Sequence, residues 1–453
     1  MEIKVIDNKI LSDGYIFTKS FAMISKNKVF LVNQNQGTTI LLDKSLIGDF
    51  INDWLTRIDE NLFLKFIQRN FIVKDKKSTK VKLNCLPTFF LIDFTNMCNF
   101  NCVYCFRDLK NNGEITVDHL DDICDFIVDY CKKYRISRIT VQPWGGEPLL
   151  AYKKIIYCYN QITKFGINVN MTIETNGSIL NEEIIKFIKN NNVQIGISID
   201  GNEYLHNKQR QSKTCDFKLI LKNIQILHKN NIKDISSISV VTQKGIEYID
   251  STVETIAEVF KINNLKLNLV HNSDFKDSYA QFSDAEIEEF VYRLYNTIKK
   301  YRIRNQKIIE SNIQQRIKNL LYRNNSNICL SSGCQGGYRM ISFSSNGDIY
   351  PCEMVDYEEE KIGSIYSGRD LIDMLLESTH EKKYFQRKYN IKCDDCPWWY
   401  YCKGGCTSAI RYAKTTSGVD EIGCRINKKL YMLIVEDILN DNLKDVFKED
   451  NDE

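Results

Sequence analysis

This chain has little imbalance of charge and no long apolar segment. Its 453 residues carry 61 Lys and Arg against 58 Asp and Glu, with no long block of one sign, which argues against a broad nucleic-acid interface. It also lacks a stretch of about eighteen apolar residues, so no membrane span is expected. The segment from Met1 to Lys9 is charged throughout and has no apolar core of a signal peptide. We therefore expect a cytoplasmic protein without nucleic-acid or membrane partners.

Cysteine, by contrast, is abundant. The chain has sixteen cysteines, and without an export signal they are not expected to form disulfides, because the reducing cytosol keeps thiols free. Binding of metal ions or of metal clusters is the better interpretation of so many thiols.

Length and composition predict a folded protein of two or three domains. Residues 1–83 are predicted to form a small module, because β-rich runs at 28–33 and 38–43 are joined by a turn containing Gly37. Amphipathic stretches follow at 44–58 and 60–71. We predict a winged-helix-like unit that either packs on the main domain or binds a peptide as an added strand.

A charged linker at 74–80 separates this module from a longer alternation of strands and helices. Strand-like runs are predicted at 89–94, 139–143, 169–175, 194–199, 238–242 and 265–270, and helices at 117–134, 153–164, 182–190, 217–229, 249–260 and 284–301. Such an alternation is typical of βαβ units with parallel strands. We therefore predict an α/β fold in which residues 84–320 form a partial (β/α)6 barrel.

Distinctive loops follow the first four predicted strands. They contain, in order, three closely spaced cysteines, the run Gly145-Gly146-Glu147-Pro148, the pair Asn176-Gly177 and the pair Asp200-Gly201. The reactive groups of such barrels lie at the carboxyl ends of the strands. All four loops are therefore expected on one face of the sheet.

The first of these loops contains Cys98, Cys102 and Cys105. Three thiolates can hold three irons of a 4Fe-4S cluster and leave the fourth iron without a protein ligand, whereas electron-transfer clusters have four cysteines. Taken alone, the loop could equally be part of a zinc site that is completed elsewhere in the chain.

The Cys-x3-Cys-x2-Cys spacing, with Tyr104 before its last cysteine, resembles the signature of the radical SAM superfamily. The run from Gly145 to Pro148 resembles the family motif that meets the amino group of S-adenosylmethionine (SAM). Glycines let a backbone approach a ligand closely, and Glu147 could accept a charge-assisted hydrogen bond from an ammonium group. The resemblance implies that SAM binds at the cysteine loop and yields a 5'-deoxyadenosyl radical, with an electron donor such as flavodoxin or ferredoxin.

The resemblance extends to further residues near the cofactor. The segment around Ser198 and Arg210 is similar to one that places a serine near SAM and an arginine near its carboxylate, which an Arg fork can bind bidentately. The alternatives are a strand-end hydroxyl and a surface cation. Thr175 and Asn176 resemble the third-strand position of the family near the cofactor.

Residues 321–453 are crowded with cysteine and glycine and are predicted to form a third domain with a C-terminal helix. Seven of its cysteines occur in the order of the SPASM extension, which carries one or two auxiliary 4Fe-4S clusters. Two closed clusters need eight thiolates, and Cys329 supplies the eighth. The resemblance implies one auxiliary cluster on Cys329, Cys334, Cys352 and Cys406, and another on Cys393, Cys396, Cys402 and Cys424. A zinc ribbon is the alternative.

The resemblance therefore implies three 4Fe-4S clusters and a peptide or protein substrate. Residues 1–83 resemble the precursor-recognition module of ribosomal-peptide maturases, which binds a leader peptide. We predict a peptide maturase, with thioether crosslinking of a cysteine-rich precursor as the preferred reaction. Carbon-carbon crosslinking, epimerisation and sulfatase maturation are alternatives, and a non-catalytic zinc or iron-sulfur scaffold is the alternative outside the enzymes.

Overall fold

The computed structural model describes residues 1–11, 14–46, 59–74, 86–107, 113–270, 281–323, 327–329, 333–355, 358–380, 391–412, 418–445 and 447. Within these ranges, every helix is too short or too polar to span a bilayer. The predicted linker at 74–80 beyond Lys74, the predicted boundary after residue 83 and most of the predicted helix at 44–58 lie outside the described residues.

The N-terminal part of the chain forms two small antiparallel sheets. Its elements are β1 (Glu2–Ile6), β2 (Lys9–Ile10), β3 (Tyr15–Phe17), β4 (Ser20–Ile24), β5 (Lys28–Asn33), β6 (Thr39–Asp43), α1 (Glu60–Gln68) and β7 (Ile72–Lys74). The strand orders are β1-β4-β5-β6 and β2-β3-β7. The predicted hairpin is confirmed, because β5 and β6 pair antiparallel across the turn that ends at Gly37.

This N-terminal unit has its own apolar core. Phe17, Leu31, Phe66 and Phe71 are almost fully buried and pack together between the sheets and α1. The strands β1 to β4 were not predicted, because their polar and apolar residues alternate only over short stretches that are interrupted by glycine and asparagine.

The central part of the chain alternates strands with helices as predicted. Its strands are β8 (Phe89–Thr95), β9 (Asn101–Cys102), β10 (Arg138–Gly145), β11 (Asn168–Thr175), β12 (Gln194–Ser198), β13 (Arg210–Gln211), β14 (Ile235–Val241), β15 (Asn264–Leu269) and β16 (Ile309–Glu310). Its helices are α2 (Val117–Tyr134), α3 (Tyr152–Thr163), α4 (Glu182–Asn190), α5 (Glu203–Gln209), α6 (Phe217–Lys229), α7 (Ile249–Glu254), α8 (Asp284–Ile303) and α9 (Ser311–Tyr322).

All six predicted strands are present and pair in parallel. They lie in the order β15-β14-β12-β11-β10-β8, and the short β16 adds a seventh parallel strand beside β15. Strand β8 reads as a nearly continuous apolar run and is buried along most of its length. Such runs are expected in parallel sheets, because helices cover them.

Helix α2 shows why the covering helices form where they do. The side chain of Thr116 caps its first turn by accepting a hydrogen bond from the His119 backbone N–H. Its buried residues recur at helical spacing, from Leu120 through Ile123 and Cys124 to Ile127. The helix therefore buries one apolar face against the sheet and leaves its acidic face in water.

The C-terminal part of the chain continues the central sheet. Its elements are β17 (Met340–Phe343), β18 (Asp348–Tyr350), β19 (Gly363–Ser364), α10 (Leu371–His380), α11 (Ile391–Asp394), α12 (Trp399–Cys402), α13 (Thr407–Tyr412) and α14 (Glu421–Leu439). Strand β17 pairs in parallel with β8, and β18 and β19 follow antiparallel. The strands therefore form one ten-stranded open sheet that runs from β16 to β19.

Candidate functional site

The loop with Cys98, Cys102 and Cys105 begins at the carboxyl end of β8, and all three thiols are half-buried. Cys102 lies in the short strand β9, which pairs antiparallel with β13 at Arg210. The backbone N–H of Val103 donates to the carbonyl of Gln209 at 2.9 Å. The cysteine loop is therefore held against the segment that follows the fourth strand of the barrel.

The two glycines after β10 lie directly against this loop. A Cβ on Gly146 would come within 2.3 Å of the Met97 carbonyl oxygen and 3.0 Å of the Cβ of Cys98. Gly145 has a φ of 144°, and a Cβ there would lie 2.2 Å from the Thr95 carbonyl oxygen. The glycines are thus required for close approach to the cysteine loop, as well as for any approach to a ligand.

Glu147 is buried and accepts three hydrogen bonds. Its Oε1 accepts from the Leu149 N–H at 3.0 Å and from the Thr175 hydroxyl at 2.7 Å, and its Oε2 accepts from the Asn176 N–H at 2.7 Å. Burial raises the pKa of Glu147, although these donors act in the opposite direction. The carboxylate therefore ties the Gly-Gly-Glu-Pro turn to the end of the third strand, a role that the sequence did not reveal.

Asn176 extends this connection back to the cysteine loop. Its side-chain amide donates to Oδ1 of Asn99 at 2.8 Å, and Nδ2 of Asn99 donates to the Ser178 hydroxyl at 2.8 Å. Asn99 lies between Cys98 and Cys102 in sequence. The loops after the first, second and third strands therefore form one hydrogen-bonded unit.

Asp200 is the buried centre of the loop after the fourth strand. Its Oδ2 accepts from Nε of Arg210 at 2.8 Å and from the Tyr104 hydroxyl, and its Oδ1 accepts from the Val240 N–H at 2.9 Å. The Arg210 guanidinium lies 5.7 Å from the centroid of the Tyr104 ring. Burial acts to lower the pKa of Arg210, but the Asp200 carboxylate raises it overall. Arg210 is therefore a buried, permanently charged cation rather than a surface residue.

A cavity of about 300 Å³ opens at this face of the sheet. It is lined by every residue that the resemblance placed near the cofactor: Cys98, Cys102, Tyr104, Cys105, Gly145, Gly146, Glu147, Pro148, Thr175, Asn176, Ser198 and Arg210. The prediction that the marked loops meet on one face is confirmed. The cavity thus combines three thiols, a buried carboxylate and a buried guanidinium.

The donor set of this cavity suits an iron-sulfur cluster with SAM beside it. Burial raises the pKa of Cys98 to about 11 and that of Cys102 to about 12, so metal-free thiols are protonated and cluster binding must release protons. Arg210 supplies a positive charge where a carboxylate group could bind. Three thiols with no fourth cysteine among the lining residues leave one cluster position for a ligand.

A second cavity, of about 340 Å³, adjoins the first. Glu174, Asn268 and Met354 are among the residues that line both cavities. The second cavity is mostly apolar where α8 and α14 face it, and its charged residues include Lys266 and Arg316. It also contains Glu353, whose pKa burial raises to about 7. The wall contains Cys329, Cys402 and Cys406, so this space lies between the cofactor cavity and the C-terminal cysteines.

The structure brings the first predicted group of C-terminal cysteines together. Burial raises the pKa of Cys352, and the neighbouring Glu353, Cys334 and Cys406 raise it further. Burial likewise raises the pKa of Cys406, with contributions from Cys334 and Cys329. These four thiols therefore share one electrostatic environment.

The second predicted group is also brought together. Burial raises the pKa of Cys402 to about 12, with further contributions from Cys424 and Cys396. Burial raises the pKa of Cys396 to about 11, and the neighbouring Cys424 and Cys393 also act to raise it. Among the described residues, no three Cys, His, Asp or Glu side chains converge closely enough to hold a single metal ion.

Several residues of the site were not nominated from the sequence. Asp200 was noted only as part of a loop, although an acidic residue directly after a strand was a usable signal. Asn99 lies inside the cysteine loop itself, and an amide between metal ligands is a second such signal. The charged residues Glu174, Lys266 and Glu353 come from distant segments, and only the fold brings them to one cavity.

The radical SAM superfamily model matches residues 92–257. The chain is similar to a cysteine-type anaerobic sulfatase-maturating enzyme of Clostridium novyi, with 28% identity over 68% of this chain and 84% of the relative. It is also similar to the radical SAM cyclopropyl synthase TigE of Paramaledivibacter caminithermalis, with 23% identity over 91% of this chain and 86% of that protein.

Solved structures show the same fold. A structure of native anSMEcpe with bound AdoMet has a TM-score of 0.68 and 18% identity, covering 78% of this chain and 99% of that one. A structure of Streptococcus suis SuiB bound to the precursor peptide SuiA has a TM-score of 0.55 and 17% identity, covering 88% of this chain and 99% of that one. The likeness thus extends over most of both chains.

Proposed function

We propose that this chain is a radical SAM enzyme, in which Cys98, Cys102 and Cys105 hold a 4Fe-4S cluster and SAM occupies the cavity beside them. When bound, this pair of cofactors supplies a carbon-centred radical that abstracts hydrogen from a substrate. The observation that supports the assignment most directly is the single cavity that gathers all the predicted cofactor residues.

In this proposal the side chains of the cavity orient the cofactor. Glu147 holds the Gly-Gly-Glu-Pro turn in place through Thr175 and Asn176, so that the turn and its carboxylate face the amino group of SAM. Arg210, fixed by Asp200, faces the carboxylate of SAM. Ser198, at the end of β12, completes the wall. When SAM and the substrate fill the cavity, water is excluded from the reacting groups.

We further propose two auxiliary 4Fe-4S clusters in the C-terminal part. The first uses Cys329, Cys334, Cys352 and Cys406, and the second uses Cys393, Cys396, Cys402 and Cys424. The support is that each set of thiols shares one electrostatic environment and that both sets lie in the C-terminal part of the chain. Together with the cluster at the SAM cavity, these make three clusters per chain. We propose that a donor such as flavodoxin or ferredoxin reduces them.

We propose a peptide as the substrate, with its reacting side chain in the second cavity. That cavity adjoins the cofactor cavity and has Cys329 and Cys406 in its wall, so a substrate thiol there would lie beside the first auxiliary cluster. Thioether formation is the reaction that we propose for this thiol. Formylglycine formation in a sulfatase is the competing function, because several relatives are sulfatase-maturating enzymes.

The N-terminal unit favours a precursor peptide over a sulfatase. Strand β1 is an edge of its sheet, and the side chains of Ile3 and Val5 on it are 46% and 48% exposed. We propose that a leader peptide adds to this edge as a further strand and covers these two side chains.

Exchanging Ile3 and Val5 together for Asp tests the docking edge. We expect precursor binding to weaken by about tenfold or more, since covering each side chain contributes roughly 1.5–3 kcal/mol when burial is complete. The measurement is a titration of labelled precursor monitored by fluorescence anisotropy. Cleavage of SAM without precursor should be unchanged.

The matched control is Ile10→Asp, which changes an equally apolar and more exposed side chain on the other N-terminal sheet. It should leave precursor binding as in the wild type. Equal precursor affinity for the wild type, the Ile3 and Val5 double variant and the Ile10→Asp variant would refute docking at β1. Modification of a sulfatase peptide by the wild type, with none of the precursor, would overturn the peptide-maturase assignment in favour of sulfatase maturation.

A further inference from the structure

The turn between β5 and β6 contacts the second C-terminal cysteine group directly. Gln34, which follows β5 and is 5% exposed, donates its side-chain amide to the backbone carbonyls of Asp394 at 2.7 Å and of Cys393 and Cys396 at 3.2 Å each. One amide group of the N-terminal unit is thus shared by three carbonyls in the loop that carries two of the cysteines.

Other contacts close the same interface. The hydroxyl of Tyr401 donates to the carbonyl of Gly37 at 2.6 Å, and a Cβ on Gly37 would lie 2.0 Å from the Tyr400 ring. The Lys19 ammonium donates to the Asp394 carbonyl at 2.9 Å and pairs with Asp395 at 2.6 Å. The turn therefore packs closely against the segment that carries Cys393 and Cys396.

We propose that Gln34 is a positioning residue for the second auxiliary cluster, an inference that rests on the proposed function of Cys393, Cys396, Cys402 and Cys424. Gln34 holds three carbonyl oxygens of the loop on the side of the N-terminal sheet. Backbone N–H groups can then face the thiols on the other side, as the Trp398 N–H does by hydrogen bonding to Cys396.

This positioning has consequences for the properties of the cluster. Hydrogen bonds to the sulfurs and exposure to solvent set the reduction potential of an iron-sulfur cluster, and groups that orient the ligands affect how tightly the metal is held. Strand β5 is separated from the edge strand β1 only by β4. The same small sheet therefore carries the proposed docking edge for the precursor and the support of the second cysteine group.

Gln34→Glu tests the inference in the full-length protein. It keeps the shape of the side chain but turns an acceptor toward the three carbonyls. After anaerobic reconstitution, we expect either about eight iron atoms per chain in place of about twelve, or full iron with a shifted midpoint potential for one auxiliary cluster. Redox titration monitored by electron paramagnetic resonance measures the potentials. Adding SAM should change the spectrum of the cluster on Cys98, Cys102 and Cys105 as it does in the wild type.

Two further variants complete the experiment. Gln34→Met removes the donor at similar length and should have the same effect, so it replaces the Glu variant if that variant does not fold. Asn35→Ala alters the exposed neighbour in the same turn and should keep wild-type iron content and potentials.

Wild-type iron content and three unchanged potentials in both Gln34 variants would overturn the inference. About four iron atoms in the wild type would instead refute the auxiliary clusters themselves, and the positioning role with them. Unchanged Gln34 variants would refute only the role of Gln34, because the wild type in that comparison still holds about twelve iron atoms per chain.

Discussion

Replacing Cys98, Cys102 and Cys105 together with Ala is expected to abolish cleavage of SAM. The reconstituted variant should lose about four of about twelve iron atoms per chain, because only the cluster beside the SAM cavity loses its thiolates. The remaining iron should titrate as two auxiliary clusters. The measurements are iron analysis and chromatography of 5'-deoxyadenosine after reduction with dithionite.

Cys215→Ala is the matched control for this experiment. The Cys215 thiol lies 3.5 Å from the side-chain amide of Asn99 in the cysteine loop, but it belongs to none of the three proposed ligand sets. It should retain about twelve iron atoms and cleave SAM at the wild-type rate. Cleavage of SAM by the triple variant would show that the cofactor does not bind at this loop.

Replacing Asp200 with Ala is expected to lower the free energy of unfolding by about 3–5 kcal/mol. The change leaves the Arg210 guanidinium buried without its partner, since the side chains of the pair are 8% and 0% exposed. It also removes the acceptor of the Tyr104 hydroxyl and of the Val240 N–H. Urea denaturation of the metal-free protein, followed by circular dichroism, measures the difference.

Lys218→Ala provides the comparison, because it breaks an ion pair of the same charge type at the surface. Lys218 and Glu203 are 3.3 Å apart, and their side chains are 74% and 50% exposed. The expected loss is at most about 1 kcal/mol. Equal losses for the two variants would mean that the Asp200–Arg210 pair does not stabilise the loop that supports the cysteines.

The strands and helices of the central parallel sheet could be predicted from sequence because their signals are local. Helix α2 is a clear case, since its cap at Thr116 and its apolar residues at helical spacing lie within one segment and its predicted bounds agree with the structure. Strand β8 carries a similarly complete local signal in its apolar run. An apolar period and a capping residue within one segment are enough to locate such an element from the sequence.

The continuation of the sheet by β17, β18 and β19 could not be predicted in the same way. These strands are short, and β17 lies next to β8 although about 250 residues separate them in the chain. Only packing of the whole chain selects that pairing. Long-range packing also forms the second cavity, because Lys266 and Glu353 come to it from different parts of the chain.

In the candidate site, too, some residues could be identified from local motifs and others only from the folded structure. The cysteines and the Gly-Gly-Glu-Pro run were identifiable because they are motifs with fixed spacing. The role of Glu147 as an acceptor for Thr175 and Asn176 was not, because a carboxylate beside glycines looks like a ligand-binding group until its hydrogen bonds are seen. Gln34 had no local signal at all, since its three acceptors lie about 360 residues away.

The most direct test of a radical SAM peptide maturase is transfer of hydrogen from the peptide to the cofactor. The reduced, reconstituted enzyme is incubated with SAM and with a cysteine-rich precursor peptide that carries deuterium on its carbon atoms. Deuterium should appear in 5'-deoxyadenosine, and each thioether should remove two hydrogen atoms from the peptide mass. Unlabelled 5'-deoxyadenosine together with an unchanged peptide would contradict the proposed function.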